Sequence, residues 1–216
     1  MINIKSFTFN PFAENTYILS DETGECIIVD PGCYEPKEKD ELKSYINENQ
    51  LKVVLLVNTH CHIDHVLGNA FIKREYQVNL AIHPKDEATL SAVEVYASNY
   101  GFPNYEASTA NLMLNEREQL KFGNSTLEIL FVPGHAPGHI ALYHEAQRFC
   151  INGDVLFRES IGRTDLPGGD HATLVASIRD KMFMLPDETT IYCGHGPETS
   201  IGHEKKYNPF VRMTDY

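Results

Sequence analysis

The sequence predicts an α/β fold in which a β-sheet core is covered by helices on its outer faces. Two observations predict this class: short β-prone runs outnumber helical stretches, and the helical stretches are interleaved with them along the chain. The chain has 216 residues, of which 42% are hydrophobic and 22% are charged. This length and composition are typical of one globular unit with a sizeable core, so we expect a single domain over residues 1–216.

The first third of the chain is β-rich and contains one amphipathic helix. Three β-prone runs lie in it, at residues 15–19, 26–29 and 53–57. The last of these is continuously apolar, which is typical of a strand buried on both faces. Between them, Leu42, Tyr45 and Ile46 recur at helical spacing in an otherwise polar stretch. That pattern predicts a surface helix over residues 36–49.

The remainder of the chain alternates between helical and β-prone stretches. Helices are predicted from about Asp64, over 84–99 and over 171–184. Strands are predicted at 78–82, 127–132, 140–143, 149–151 and 190–193, and residues 101–119 are predicted to be irregular. Strands therefore outnumber helices, and helices separate many of them, as a helix-covered sheet requires.

Charge and cysteine content restrict the partners and the compartment that we expect. The formal net charge of −12 argues against nucleic acid and against anionic lipid, since both need a basic surface. No apolar run approaches the roughly 18 residues of a membrane span, and the N-terminal residues lack the pattern of a secretory signal. The five cysteines are widely spaced and form no C-x-x-C pair. Reduced thiols in a cytoplasmic protein are the expected state.

The segment from residue 59 to residue 65 concentrates potential metal ligands directly after a buried strand. These ligands are His60, His62, Asp64 and His65. His60 and His62 are two residues apart, so an extended backbone projects both side chains to one side. Asp64 and His65 follow where the chain turns into a helix. Imidazole and carboxylate together suit zinc, iron or manganese, so the segment predicts a metal site.

Further ligands are expected from other strand ends. His135, Asp154 and His195 each follow a predicted strand and lie next to a glycine. A glycine allows the loop to bend closely around a metal ion. Cys61, which lies between two of the histidines, is expected to point the opposite way and to be a packed thiol.

This motif set resembles the metallo-β-lactamase superfamily. The likeness is carried by H-x-H-x-D-H at 60–65, Gly-His at 134–135, Gly-Asp at 153–154 and Gly-His at 194–195. The resemblance implies an αββα sandwich of two mixed β-sheets flanked by helices. It implies one metal ion on His60, His62 and His135, and a second on Asp64, His65 and His195. Asp154 would bridge the two ions, and Asp30 would support the ligands.

Within that superfamily the chain resembles the compact bacterial members of the glyoxalase II group. The likeness lies in residues 153–157, 162–170, 194–199 and 204–210. The resemblance implies a metal-dependent hydrolase of thioesters such as S-2-hydroxyacylglutathione. Asp64 and Asp154 would be catalytic as well as ligands, and Arg163 would bind a substrate carboxylate. The expected cofactors are two divalent ions, zinc first and iron or manganese as alternatives.

The expected reaction is attack by a metal-bound hydroxide on the thioester carbonyl, since a zinc ion lowers the pKa of its water to about 7. The expected partner is a small anionic thioester.

Two other functions stay open. One is a persulfide dioxygenase with a single iron held by two histidines and an aspartate. The other is a scaffold stabilised by metal, although a structural zinc site needs only four ligands.

Overall fold

The computed structural model describes residues 1–212. Its chain divides into two compact units, of which the first comprises residues 1–114 and 121–126 and the second comprises 115–120 and the residues from 127 onward. The prediction of one domain over residues 1–216 stays a prediction.

The first unit is built on a six-stranded sheet. Its strands are β1 (Asn3–Phe9), β2 (Glu14–Ser20), β3 (Glu25–Val29), β4 (Lys52–Val57), β5 (Leu80–Ile82) and β6 (Leu112–Met113), in that spatial order. Strands β1 to β3 pair antiparallel, whereas β3 to β6 pair parallel, so the sheet is mixed. The helices are α1 (Pro36–Glu48), α2 (Ile63–Val66), α3 (Asn69–Tyr76) and α4 (Glu87–Tyr96), with 3-10 turns at Pro84–Asp86 and Ala97–Tyr100.

Apolar residues of the sheet and of its helices form the core of this unit. Ile28 and Leu56 on the sheet are fully buried, as are Leu42 on α1 and Ile72 on α3. Because β3, β4 and β5 run parallel, their carboxyl ends lie at one edge of the sheet. The residues after those strands therefore share that edge, as is usual for ligand sites in such sheets.

The second unit contains most of another six-stranded sheet. Its strands are β7 (Gln119–Phe122), β8 (Ser125–Phe131), β9 (Ile140–His144), β10 (Phe149–Gly153), β13 (Thr190–Cys193) and β14 (Thr199–Ser200), in the spatial order β14-β13-β10-β9-β8-β7. A two-stranded sheet is formed by β11 (Leu156–Phe157) and β12 (Ser160–Ile161). The helices are α5 (His171–Asp180) and α6 (Ile201–Tyr207), with a 3-10 turn at Met182–Met184.

Strand directions in the second sheet decide where its loops lie. β10 is parallel to β13, and β8 and β10 are both antiparallel to β9, so β8, β10 and β13 run the same way. The loops after these three strands therefore leave one edge of the sheet. Leu174 and Ile178 of α5 pack with Cys150 and Ile191 of the sheet in the buried core.

The predicted α/β class with two mixed β-sheets flanked by helices is confirmed. The helix predicted from about Asp64 is instead two helices, α2 and α3, separated by Leu67 and Gly68. A Cβ on Gly68 would lie 2.6 Å from the Cys33 sulfur, and the Gly68 amide donates to the Pro31 carbonyl at 2.7 Å. This close contact with another loop interrupts the helix.

Strand β1 and helix α6 were not predicted, and β6 lies in the stretch predicted to be irregular. β1 has little apolar patterning because it is an edge strand, on which only Phe7 and Phe9 are buried. Within residues 1–212, none of the helices has the length and apolar character needed to cross a membrane.

Candidate functional site

In the first unit, His60, His62 and His65 lie beyond the carboxyl end of β4. The backbone of His62 is extended and α2 begins at the next residue, so the segment turns from extended to helical between these histidines. The ring centroid of His60 is 4.8 Å from that of His62 and 4.1 Å from that of His65. All three imidazoles are buried. The geometry therefore gathers three nitrogen donors at the edge where the parallel strands end.

Asp30, at the end of β3, supports this group of histidines. Its Oδ1 accepts a hydrogen bond from the Thr59 amide at 2.7 Å, and its Oδ2 accepts one from the Thr59 hydroxyl at 2.5 Å. The same Oδ2 lies 3.2 Å from Nδ1 of His65. Asp30 adopts a φ of 50°, an unusual backbone conformation for a residue with a side chain. Its carboxylate thus orients Thr59 and the His65 ring.

Asp64 occupies the first turn of α2, next to His65. Its Oδ2 is 3.7 Å from Nε2 of His65, and its carbonyl accepts a hydrogen bond from the Asn10 side chain at 3.1 Å. Asn58 donates to the His65 carbonyl at 3.1 Å and also exchanges hydrogen bonds with Asn69. These buried amides fix the start of the helix pair that carries the ligand candidates.

Glu14 is a buried carboxylate beside this group that sequence reasoning missed. Its Oε2 accepts a hydrogen bond from the Thr16 hydroxyl at 2.9 Å, and its Oε1 lies 3.9 Å from Nδ1 of His65. Burial raises the pKa of Glu14 well above its usual range. His65 thus has two acidic side chains, Asp30 and Glu14, near the same ring nitrogen.

In the second unit, the loops after β8, β10 and β13 bring three predicted ligands together. Oδ2 of Asp154 lies 3.6 Å from Nε2 of His135 and 3.5 Å from Nε2 of His195. These separations are long for hydrogen bonds. They match two ligands of one metal ion, since donors about 2.1 Å from a tetrahedral ion lie roughly 3.4 Å apart. Each pair therefore fits two ligands of a common ion, and Asp154 belongs to both pairs.

His135 is oriented by the backbone of Arg163. Its Nδ1 lies 2.7 Å from the Arg163 carbonyl, which makes Nδ1 the protonated nitrogen and leaves Nε2 as the ligand atom. A Cβ on Gly162 would lie 2.0 Å from the Asp154 carbonyl, so a side chain at this position would displace the loop. The guanidinium of Arg163 forms two hydrogen bonds with the carboxylate of Asp165, and both side chains are exposed.

Two further buried residues that we did not predict as ligands hold the loop that contains Asp154. Nε2 of His139 accepts a hydrogen bond from the Asp154 amide at 3.0 Å. The side chain of Asn152 donates to the Gly153 and Leu156 carbonyls, at 3.1 Å each, and accepts from the Leu156 amide at 2.8 Å. The backbone on both sides of Asp154 is therefore fixed by side chains.

Cys61 is fully buried in the apolar core of the first unit, and burial raises the pKa of its thiol well above the usual range. Its place among the apolar residues of that core is the one expected for a packed thiol. In each unit the candidate donors are consequently imidazoles and carboxylates, the set that suits zinc, iron or manganese.

The family model of the metallo-beta-lactamase superfamily matches residues 9–195. The chain is 37% identical over 212 residues to the hydroxyacylglutathione hydrolase GloC of Haemophilus influenzae, covering 97% of this chain and 98% of that protein. The crystal structure of the B3 metallo-beta-lactamase BLEG-1 is 34% identical, with a TM-score of 0.88, and covers 97% of this chain and 99% of its own. TTHA1623 in a di-iron-bound form is 33% identical, with a TM-score of 0.86, and covers 96% of this chain and 100% of its own.

Proposed function

The chain belongs to the metallo-β-lactamase superfamily, whose fold binds divalent metals, and we propose that it is a thioester hydrolase of the hydroxyacylglutathione hydrolase type. The observation that carries the proposal is the position of Asp154, whose carboxylate oxygen lies about equally far from His135 and His195, at 3.6 and 3.5 Å. Similarity along nearly the whole chain to a protein named hydroxyacylglutathione hydrolase supports the reaction class.

We propose that seven residues of this chain are metal ligands: His60, His62, Asp64, His65, His135, Asp154 and His195. The family pattern distributes them over two divalent ions. Zinc is the expected ion, and iron and manganese are alternatives that the same donors accept. Similarity to a protein crystallised in a di-iron-bound form supports keeping iron in the test.

Bound zinc would supply a water of lowered pKa and would polarise the substrate carbonyl. The residues of the chain provide the setting for this chemistry. The Arg163 carbonyl holds the His135 ring by Nδ1, and Asp30 holds the His65 ring in the same way. Such contacts fix the tautomer of a ligating histidine and raise its basicity. In this proposal Asp64 and Asp154 hold the reacting water in place as well as binding metal.

Arg163 is the proposed contact for a negatively charged group of the substrate. Its guanidinium is exposed and paired with Asp165, and an exposed ion pair contributes little free energy. A substrate carboxylate can therefore take the place of Asp165 at small cost. The proposed partner is a small anionic thioester, and the net charge of −12 still disfavours nucleic acid and membrane surfaces. A cytoplasmic location remains part of this proposal.

The decisive experiment combines metal analysis with a substrate panel. Protein purified without added metal is analysed for zinc, iron and manganese, and is then assayed on glutathione thioesters that differ in the acyl group. Two ions per chain and hydrolysis that a chelator abolishes would support the proposal. One iron per chain, together with oxygen consumption on glutathione persulfide, would instead support a persulfide dioxygenase.

A further inference from the structure

The backbone of Cys61 joins the first two histidines of the H-x-H-x-D-H segment. The peptide plane that contains its amide also contains the His60 carbonyl group, so fixing this amide restrains the backbone on both sides of it. The Cys61 side chain is fully buried in the core of the first unit. Holding this one amide therefore restrains the relative placement of His60 and His62.

Asp86 binds that amide. It ends the 3-10 turn Pro84–Asp86, which follows β5 at the edge where the parallel strands end, and it is fully buried. Its Oδ2 accepts a hydrogen bond from the Cys61 amide at 2.6 Å. Its Oδ1 accepts one from the Thr89 hydroxyl at 3.3 Å. Thr89 thus helps aim the carboxylate at Cys61.

A bond of this kind is stronger than an ordinary backbone hydrogen bond. The acceptor is a carboxylate and it is fully buried, and both conditions strengthen a hydrogen bond. The chemistry proposed above does not use Asp86, and no repeat or motif in the sequence singles it out. This buried carboxylate binds the peptide group between two ligand candidates, so it restrains the positions of both.

We propose that Asp86 is a positioning residue that holds His60 and His62 in the arrangement needed to bind one metal ion. The inference rests on the proposed function only in taking these two histidines as ligands. It does not depend on the substrate. Asp86 acts through the Cys61 backbone, and outer residues that orient metal ligands typically change metal affinity 10- to 100-fold when they are lost.

The test compares cobalt(II) binding by the full chain and three variants, after metal removal. D86A removes the acceptor. D86N removes the charge but keeps an oxygen that can accept from Cys61, because the Thr89 hydroxyl can turn to accept from the new amide. D21A is the matched control, since Asp21 is also a buried aspartate of the first unit and accepts the Thr23 and Asn124 amides. Stoichiometry, affinity by chelator competition and the visible spectrum are recorded.

We expect D86A to bind cobalt at least 10-fold more weakly and with an altered visible spectrum. D86N should keep the spectrum of the unsubstituted chain, and D21A should keep both spectrum and affinity while unfolding at a lower temperature. A folded D86A with unchanged affinity and spectrum would overturn the inference. If D86A does not fold, D86N decides: a retained spectrum supports positioning through the acceptor, and an altered spectrum refutes it.

The result of the cobalt test can be distinguished from the result of the test of the proposed function. If the unsubstituted chain binds two ions but hydrolyses no thioester, the proposed function fails while the cobalt comparison still decides the role of Asp86. If the chain hydrolyses thioesters and D86A binds cobalt normally, the proposed function stands and only the role of Asp86 fails.

Discussion

Replacing His139 with alanine tests whether the loop that contains Asp154 is held in place by a neutral imidazole. His139 is fully buried immediately before β9, and its Nε2 accepts a hydrogen bond from the Asp154 amide at 3.0 Å. An acceptor at Nε2 carries no proton, so the ring is neutral and Nδ1 bears the hydrogen, which lies toward the Ile140 carbonyl at 3.2 Å. The H139A variant removes the acceptor and leaves the Asp154 amide buried.

The expected loss of stability has two parts. A buried amide without an acceptor costs about 1–3 kcal/mol. Removing the imidazole opens a cavity of roughly 60 Å³, which at about 24 cal/mol per Å³ costs ~1.5 kcal/mol. Together these predict that the free energy of unfolding of the metal-free chain falls by about 3 kcal/mol. Because Asp154 is a proposed ligand, metal affinity should also fall, by about 10- to 100-fold.

Urea unfolding of the metal-free protein measures the first quantity, and chelator competition measures the second. H144A is a matched control, since His144 ends the strand that His139 precedes and also accepts a hydrogen bond from an amide, that of Gln147, at 3.2 Å. His144 is only partly buried and lies at the end of β9 that is distant from Asp154. We therefore expect H144A to lower the free energy of unfolding by less than about 1 kcal/mol and to leave metal affinity unchanged. H139Q, which can still accept from Asp154, should recover part of both losses. Equal effects of H139A and H144A on stability and metal affinity would refute this reasoning.

Four further predictions follow from the same structure. D154A should lose metal and thioester hydrolysis together, as elemental analysis and a turnover assay will show, and retention of both metals with full turnover would contradict the ligand assignment. R163A should raise KM for an anionic thioester more than it lowers kcat, because the variant keeps the carbonyl that orients His135; an unchanged KM would remove Arg163 from the substrate site. Burial would raise the pKa of Asp21, but hydrogen bonds from neighbouring hydroxyl and amide groups outweigh it and lower that pKa to about 2. The charged Asp21 carboxylate therefore stabilises the folded chain fully well above pH 4 and progressively less as the pH falls towards 2. The difference in free energy of unfolding between the unsubstituted chain and D21N, measured by urea unfolding, should shrink by about 1 kcal/mol between pH 6 and pH 3. A difference that stays constant would count against the assignment. L56A, in the core of the first unit, should lower the free energy of unfolding by about 2–5 kcal/mol. The folded variant should keep the metal stoichiometry of the unsubstituted chain.

Local sequence patterns were sufficient to predict the α/β class and the strand ends that carry the candidate donors. The apolar run before His60 predicts a buried strand whatever its neighbours are, and β4 is found there. The glycines next to His135, Asp154 and His195 likewise mark loops that follow strands. Within each unit the structure brings these candidates together, whereas their roles as metal ligands remain a proposal. Edge strand β1 escaped prediction because half-exposed edges carry little periodic signal.

By itself, therefore, the sequence determined which residue types follow which strands, since hydrophobic spacing and turn residues act over a few neighbours. Only the tertiary structure decided which distant groups orient them. Asp86 meets Cys61 across 25 residues, and the Arg163 carbonyl meets His135 across 28. Neither pairing leaves a local pattern, because each depends on strand order and direction. The physical reason is that hydrogen bonds to buried backbone groups are satisfied in space, wherever the fold places an acceptor.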